Sequence, residues 1–154
     1  MAQNIYDTAE FFEGYGRLNR SLYGLDGAPE WPAIRARLPK LSGARIVDLG
    51  CGFGWFARWA KTQGAAYVLG IDLSENMLAR ARAETADPAV EYVQRDLEHL
   101  ELPEGAFDLA YSSLSFHYIE DFGQLVSTVF RTLGTRPPNK LRLTQTGPRN
   151  STGR

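Results

Sequence analysis

The chain has 154 residues, of which 44% are hydrophobic and 23% are charged, with a formal net charge of −1. This composition is typical of one globular domain, and it argues against nucleic acid or an anionic membrane surface as a partner. One cysteine and two histidines exclude an internal disulfide and a cysteine-rich zinc site, so no metal is expected.

The N-terminal residues 1–43 are rich in aromatic side chains and predict short helices. "TAEFFEGY" begins at Thr8, a residue type that caps helices. In "APEWPAIRARL" the prolines stand at a helix start, and "YGLDGAP" between the two predicts a loop. The first residues lack the basic start and apolar run of a signal peptide, so we expect a cytoplasmic protein.

Residues 44–133 alternate strands with helices. "ARIVDLG" is a short apolar run that predicts a strand buried on both faces. "YVLGID", "VEYVQRD" and "AFDLAYSS" predict three more strands. The intervening helices are "WFARWAKTQG", ending at Gly64, and "SENMLARARAETAD", capped by Ser74. With the helix "DFGQLVSTVFRTL", this order predicts an α/β fold with a Rossmann-like parallel sheet.

The character of the chain changes at residues 134–154. This tail has five basic residues and no acidic one, which leaves 12 basic and 18 acidic residues in 1–133. Its only large apolar residues are Leu141 and Leu143, and it shows no strand or helix periodicity. We therefore predict a disordered, non-native tail.

Three glycines, Gly50, Gly52 and Gly54, follow the first strand in "VDLGCGFG". Ligands of parallel α/β sheets bind at the carboxyl ends of the strands, and glycines let a backbone approach a ligand closely. A dinucleotide fingerprint would place its third glycine at Trp55, and no P-loop lysine follows. The loop predicts a cofactor, and a tight turn without a ligand is the alternative.

The motif "VDLGCGFG" resembles the first motif of the class I S-adenosylmethionine-dependent methyltransferases. "GIDLSENMLARAR", "VQRDLEHLELPEGAFDLAYSS" and "LSFHYIEDFGQLVSTVFRTL" are similar to the following segments of that family, in the same order. The resemblance covers about residues 5–133, and it is greatest to the small-molecule branch that includes quinone-biosynthesis methyltransferases. It implies S-adenosylmethionine as the cofactor and a small molecule as the methyl acceptor.

The resemblance also implies roles for single residues. Asp72 would bind the ribose hydroxyls and Asp96 the adenine amino group, while Asp48 would lie near the methionine ammonium. For each carboxylate the alternative is a helix cap or a solvated loop acid, and for Met77 it is a core position. The implied cofactor-binding residues are Asp48, Gly50, Cys51, Gly52, Asp72, Leu73, Met77, Asp96, Leu97 and Ser113.

His117 follows the fourth strand and is the candidate general base, with a polar wall residue as the alternative. Tyr118 and Tyr111 are weaker candidates. Tyr15, Arg17 and Arg20 are candidates for a lid over the cofactor, which makes residues 1–43 a helical lid segment beside the cofactor-binding core of residues 44–133.

The chain departs from the family after "RTL", where members continue with a turn and three further strands. We therefore expect an incomplete sheet, with the first strand beside the fourth and the fourth as an exposed edge. Three functions stay open: a methyltransferase, an inactive or binding-only fragment that retains the cofactor half, and a nicotinamide-dependent oxidoreductase, which Trp55 disfavours.

Overall fold

The computed structural model describes residues 7–113, 119–134 and 144–146, with only the backbone described for Asn19, Arg20 and residues 144–146. The helices are α1 (Ala9–Gly16), α2 (Asn19–Tyr23), α3 (Trp31–Arg37), α4 (Trp55–Thr62), α5 (Glu75–Ala83) and α6 (Phe122–Thr132). The strands are β1 (Arg45–Leu49), β2 (Tyr67–Asp72), β3 (Val90–Gln94), β4 (Leu109–Ser113) and β5 (Thr144–Thr146). Among these described helices, none is long and apolar enough to cross a membrane.

The five strands form one sheet in the order β3-β2-β1-β4-β5. Every neighbouring pair is parallel, so the predicted Rossmann-like sheet is confirmed. In the register, Asp48 lies between Gly70 of β2 and Tyr111 of β4. The strand order reverses between β1 and β4, which is the place where parallel sheets of this kind bind ligands.

Both faces of the sheet are covered, because alternate side chains of each strand point to opposite sides. Ile46 belongs to a core cluster that also contains residues of α3, α4 and α5. Val47 and Leu49 belong to a second cluster that contains residues of α6. Asp48 is two residues after Ile46, so its side chain points to the face of the sheet that α3, α4 and α5 cover.

The tail contributes a strand, contrary to the prediction. Thr144, Gln145 and Thr146 pair in parallel with Tyr111, Ser112 and Ser113. The expectation that β4 is an exposed edge and that no strand follows is therefore wrong at these three residues. The physical reason is that pairing needs only backbone groups, which β4 offers on its free side. Apart from Gly134 and these three residues, the tail lies outside the described residues.

Residues 23–27 also differ from the prediction, which made "YGLDGAP", residues 23–29, a loop. The chain forms the short helix α2 and then a 3-10 turn at Gly24–Gly27. Gly24 separates them with a φ of 65°, a backbone conformation that glycine adopts at little cost.

The N-terminal segment is attached to the sheet through α5. Ser74 caps this helix as predicted, because its hydroxyl accepts a hydrogen bond from the Met77 amide at 3.2 Å. The Asp7 carboxylate accepts a hydrogen bond from the Ser74 hydroxyl and others from the Glu75 and Asn76 amides, at 3.3 and 3.1 Å. An acidic group at this helix end is favoured by the helix dipole, and here it brings α1 next to the carboxyl end of β2.

Candidate functional site

The loop after β1 is fixed to β2 by backbone hydrogen bonds. The Gly50 and Cys51 amides donate to the Ile71 carbonyl at 2.7 and 2.9 Å. The Gly52 amide donates to Asp72 Oδ2 at 2.8 Å. The loop can make these turns because Gly50 and Gly52 have φ values of 75° and 54°.

The glycines of the loop serve different purposes. A Cβ added to Gly52 would meet no atom within 4 Å, so this part of the backbone faces open space. A Cβ added to Gly54 would collide with the Tyr92 hydroxyl and approach the Arg58 guanidinium to 2.9 Å. Packing therefore explains Gly54, while Gly52 leaves its backbone accessible to a ligand.

Asp48 is the most unusual polar group of the site. Its side chain is 2% exposed, and its Oδ2 has no hydrogen-bond partner among the described residues. Burial, and secondarily the negative charge of Asp72, raise the pKa of Asp48 well above its ordinary value. A buried carboxylate without a partner is costly, so this atom is suited to a ligand that brings a cation or a hydrogen-bond donor.

Asp72 is a partly buried carboxylate that is held by backbone amides. Besides Gly52, the Ser74 amide donates to it, reaching Oδ1 at 2.9 Å. Burial raises the pKa of Asp72, the amides of Ser74 and Gly52 oppose that rise, and the charge of Asp7 adds to it. The Leu73 amide also hydrogen-bonds the carboxylate and opposes the rise. Three backbone amides therefore orient Asp72, and its remaining lone-pair capacity can accept a hydrogen bond from a diol.

Asp96 follows β3 and lies beside the end of β2, because the Arg95 amide donates to the Asp72 carbonyl at 3.1 Å. Asp96 Oδ1 accepts from the Glu98 amide at 2.9 Å, and Oδ2 lies 3.5 Å from Nδ1 of the exposed His99. The helix-cap role is thus present at Asp96. Its side chain is 26% exposed, which leaves it accessible to a ligand.

Three predicted apolar contacts of the cofactor lie close to these carboxylates in the sequence. Leu73 follows Asp72, Leu97 follows Asp96, and Met77 lies in α5. The Leu73 carbonyl accepts from the Gln94 side chain at 2.9 Å, and Leu97 packs against the second core cluster. Met77 is 2% exposed, so it is a core residue in this conformation. A contact of these three residues with a cofactor stays a prediction.

A cleft opens between the glycine loop and the N-terminal helices. Its volume is about 80 Å³, below the range of small-molecule sites, so in this conformation it encloses only part of such a ligand. The predicted residues in its lining are Asp48, Gly50, Cys51, Gly52 and Ser113. The other predicted cofactor residues lie at the carboxyl ends of β2 and β3 and in α5.

The structure describes only some of the candidate base and lid residues. His117 and Tyr118 lie outside the described residues, so a general base stays a prediction. Tyr15 lines the cleft, and its ring centroid is 5.8 Å from that of Phe53. Arg17 is exposed, and the side chain of Arg20 lies outside the description. Burial raises the pKa of the Cys51 thiol, which agrees with a packing role.

The sequence did not single out several residues of this cleft, among them Ser21 and Gly24 of the N-terminal segment. Trp55 was noted there only as the residue that breaks the dinucleotide fingerprint. Its ring packs on Gly24, since a Cβ at Gly24 would lie 2.6 Å from Trp55 Cε3. The only signal in the sequence was the run of aromatic residues after the glycines. No cluster of three metal-binding side chains occurs within the part of the chain that the structure describes.

Comparison with known proteins agrees with this geometry. The sequence model of the methyltransferase domain family matches residues 47–135, more than half of the chain. The crystal structure of an S-adenosylmethionine-dependent methyltransferase from Mesorhizobium loti is 62% identical and superposes with a TM-score of 0.71, covering 72% of this chain and 51% of that one.

Two curated relatives are each 38% identical to the chain. An uncharacterized protein of Haemophilus influenzae aligns over 86% of this chain and 54% of its own length. A malonyl-[acyl-carrier protein] O-methyltransferase of Enterobacter lignolyticus aligns over 73% of this chain and 43% of its own length. The chain thus spans about half the length of the relatives it matches.

The matched segment contains the glycine loop and all the predicted strand-end acids. The predicted resemblance to class I S-adenosylmethionine-dependent methyltransferases is confirmed, and the chain belongs to the methyltransferase domain family.

Proposed function

We propose that this chain binds S-adenosylmethionine at the carboxyl ends of β1, β2 and β3 and forms the cofactor-binding part of a methyltransferase. One observation carries the proposal. Asp48 is a buried carboxylate with an oxygen that lacks a partner among the described residues, and it lies in the cleft beside the glycine loop.

The residues present fit this cofactor. S-adenosylmethionine has an ammonium group and a sulfonium centre, whose positive charges suit the carboxylates of Asp48 and Asp72, and a ribose diol, which can donate a hydrogen bond to Asp72. Gly52 leaves its backbone open to the ligand. The bound cofactor supplies an activated methyl group, so the protein contributes mainly positioning and exclusion of water.

The acceptor belongs to the same proposal. We expect a small molecule or a small group carried by a protein, since one relative is a malonyl-[acyl-carrier protein] O-methyltransferase. His117 would accept a proton from it if the acceptor atom needs a base. Residues 1–43 would act as the lid of the core at 44–133, which is supported by Tyr15 in the cleft wall and by the bonds of Asp7 to α5.

Isothermal titration tests the proposal. The stable product analogue S-adenosylhomocysteine is expected to bind the chain, and NAD is not. Binding of NAD in place of S-adenosylhomocysteine would support an oxidoreductase and overturn the proposal. Turnover with candidate acceptors, measured on a longer protein that contains this chain, separates a methyltransferase from a protein that only binds the cofactor.

A further inference from the structure

Three buried polar side-chain atoms have no hydrogen-bond partner within the described part of the chain: Ser21 Oγ, Asp48 Oδ2 and Trp55 Nε1. All three residues line the same cleft. Buried polar atoms are almost always paired in folded proteins. Three such atoms around one cleft indicate a ligand that supplies the missing partners, and the proposed function uses only Asp48.

The chemistry of the other two atoms selects the ligand group. The Trp55 indole N–H can only donate a hydrogen bond, and the Ser21 hydroxyl can donate one. Ser21 is 1% exposed, so water does not replace its partner easily. Two donors recognise an oxygen acceptor. Trp55 is also the first residue of α4, where the helix dipole favours a negative charge.

The charged side chains around Ser21 and Trp55 also favour a negatively charged ligand group. Arg80 Nη2 donates to the Ser21 carbonyl at 3.4 Å, and the Arg58 guanidinium carbon is 4.9 Å from the centroid of the Trp55 ring. Glu84 pairs with both arginines, at 3.3 and 2.9 Å. Two guanidinium groups against one carboxylate leave a net positive charge beside the two donors, which favours an anion.

The cleft also contains acidic residues, because Asp48 and Glu30 line it. A free anion would be repelled by them, whereas a carboxylate that has a cation next to it can satisfy both sets of charges. The orientation of the indole is fixed as well, since the Gly24 backbone lies against the ring.

We propose that Ser21 Oγ and Trp55 Nε1 form a carboxylate-binding site in this cleft. The inference rests on the proposed function, because the carboxylate can come from the amino-acid end of the cofactor or from the methyl acceptor. Both sources present the same chemistry to the two donors, and the experiment distinguishes them.

The first arm uses two nucleoside ligands and two variants. Trp55→Phe keeps a ring and removes the N–H, and Ser21→Ala removes the hydroxyl. S-adenosylhomocysteine has the amino-acid carboxylate, and 5′-methylthioadenosine lacks it. If the cofactor is the source, each variant binds S-adenosylhomocysteine about tenfold more weakly, while the affinity for 5′-methylthioadenosine is unchanged. Trp59→Phe and Ser42→Ala are matched controls, because neither residue lines the cleft.

The second arm follows the indole N–H of Trp55 by ¹⁵N NMR. The chain has three tryptophans, and the resonance of Trp55 is the one missing in Trp55→Phe. A downfield shift with S-adenosylhomocysteine but not with 5′-methylthioadenosine identifies the cofactor as the source. A shift on adding malonate to the protein saturated with S-adenosylhomocysteine identifies the acceptor.

Two results would be negative, and they are separable. If the wild type binds both nucleosides but the resonance moves with neither S-adenosylhomocysteine nor malonate, and both variants bind like the wild type, the carboxylate site is overturned. If the wild type binds neither nucleoside, the proposed function fails. Malonate added to the free protein then still decides whether Ser21 and Trp55 bind a carboxylate.

Discussion

Asp48 lies at the buried end of β1, and its position has a measurable effect on stability. Because its pKa in the folded protein is raised above the ordinary value of 3.8, the folded state holds a proton that the unfolded state releases. The stability contributed by this group is therefore present at low pH and is lost as the pH rises through the raised value. Above pH 3.8 the folded protein therefore bears a cost at Asp48, either for keeping the proton or for burying the charge.

We expect Asp48→Asn to stabilise the ligand-free protein at pH 7 by about 1–3 kcal/mol, since an amide avoids the cost of an unpaired buried charge. The same variant should bind S-adenosylhomocysteine more weakly. Urea unfolding from pH 4 to pH 8 measures the first effect, and the gap between variant and wild type should widen with pH. Asp26→Asn at an exposed position is the control. A variant less stable than the wild type at every pH would contradict this account.

Gly52 and Gly54 provide a second test at the scale of the residue. Gly54→Ala places a methyl group against Tyr92 and should cost about 2 kcal/mol or more from overpacking and a positive φ. Gly52→Ala should cost only about 1 kcal/mol of backbone strain. Its larger effect should be on the affinity for S-adenosylhomocysteine, because its Cβ would enter the open space beside the loop.

Thermal unfolding and titration calorimetry separate these effects. Removing the Tyr92 hydroxyl in the double variant Gly54→Ala, Tyr92→Phe should restore part of the stability lost in Gly54→Ala. Equal stability losses for the two alanine variants would mean that packing does not distinguish the glycines.

At the scale of the element, α5 connects the N-terminal segment with the cofactor loop. Asp7 caps this helix together with Ser74, while Asp72, two residues before Ser74, holds the Gly52 amide. The N-terminal segment and the glycine loop are therefore both held by residues 72–76, where β2 ends and α5 begins.

Asp7→Ala should lower stability by about 1 kcal/mol, the usual cost of losing a helix cap. It should also speed proteolysis before β1, since α1 loses its attachment to α5. Glu10→Ala is the control, because Glu10 is exposed in the first turn of α1. Limited trypsin digestion followed by mass spectrometry gives the cleavage sites. Unchanged digestion of Asp7→Ala would show that other contacts hold the segment.

The elements that the sequence predicted well are those with a strong local signal. β1 is a short apolar run because both of its faces are covered, and α5 begins at Ser74 because a hydroxyl there satisfies a free amide. Ser21 and Trp55 could not be found in this way. Their common surroundings depend on how the turn at Gly24, which follows α2, packs on Trp55, and no periodicity in the sequence records that contact. β5 was missed because three consecutive polar residues show no alternation of apolar and polar side chains.

At the scale of the whole molecule, β5 decides whether the sheet ends at β4. Alternate residues of a strand direct their amides to the same side, so either Gln145 or Thr146 has its amide toward β4. Replacing both by proline removes that donor.

We expect this double variant to lose hydrogen-exchange protection at those amides of Tyr111, Ser112 and Ser113 that face β5, with little change in β2 and β3. Exchange measured by NMR or mass spectrometry gives the comparison, and replacement of both residues by alanine is the control. Unaltered protection in β4 would show that β5 contributes nothing to the sheet in solution.

The unpartnered carboxylate at Asp48 has a consequence for laboratory evolution. A library of this chain screened for heat resistance without ligand would enrich substitutions at position 48, because each neutral replacement relieves a cost that the free protein bears. The variants selected by such a screen would be heat-resistant proteins with an impaired ligand site. Screening in the presence of S-adenosylhomocysteine would reverse that pressure, since the ligand would then stabilise only the sequences that keep the acid.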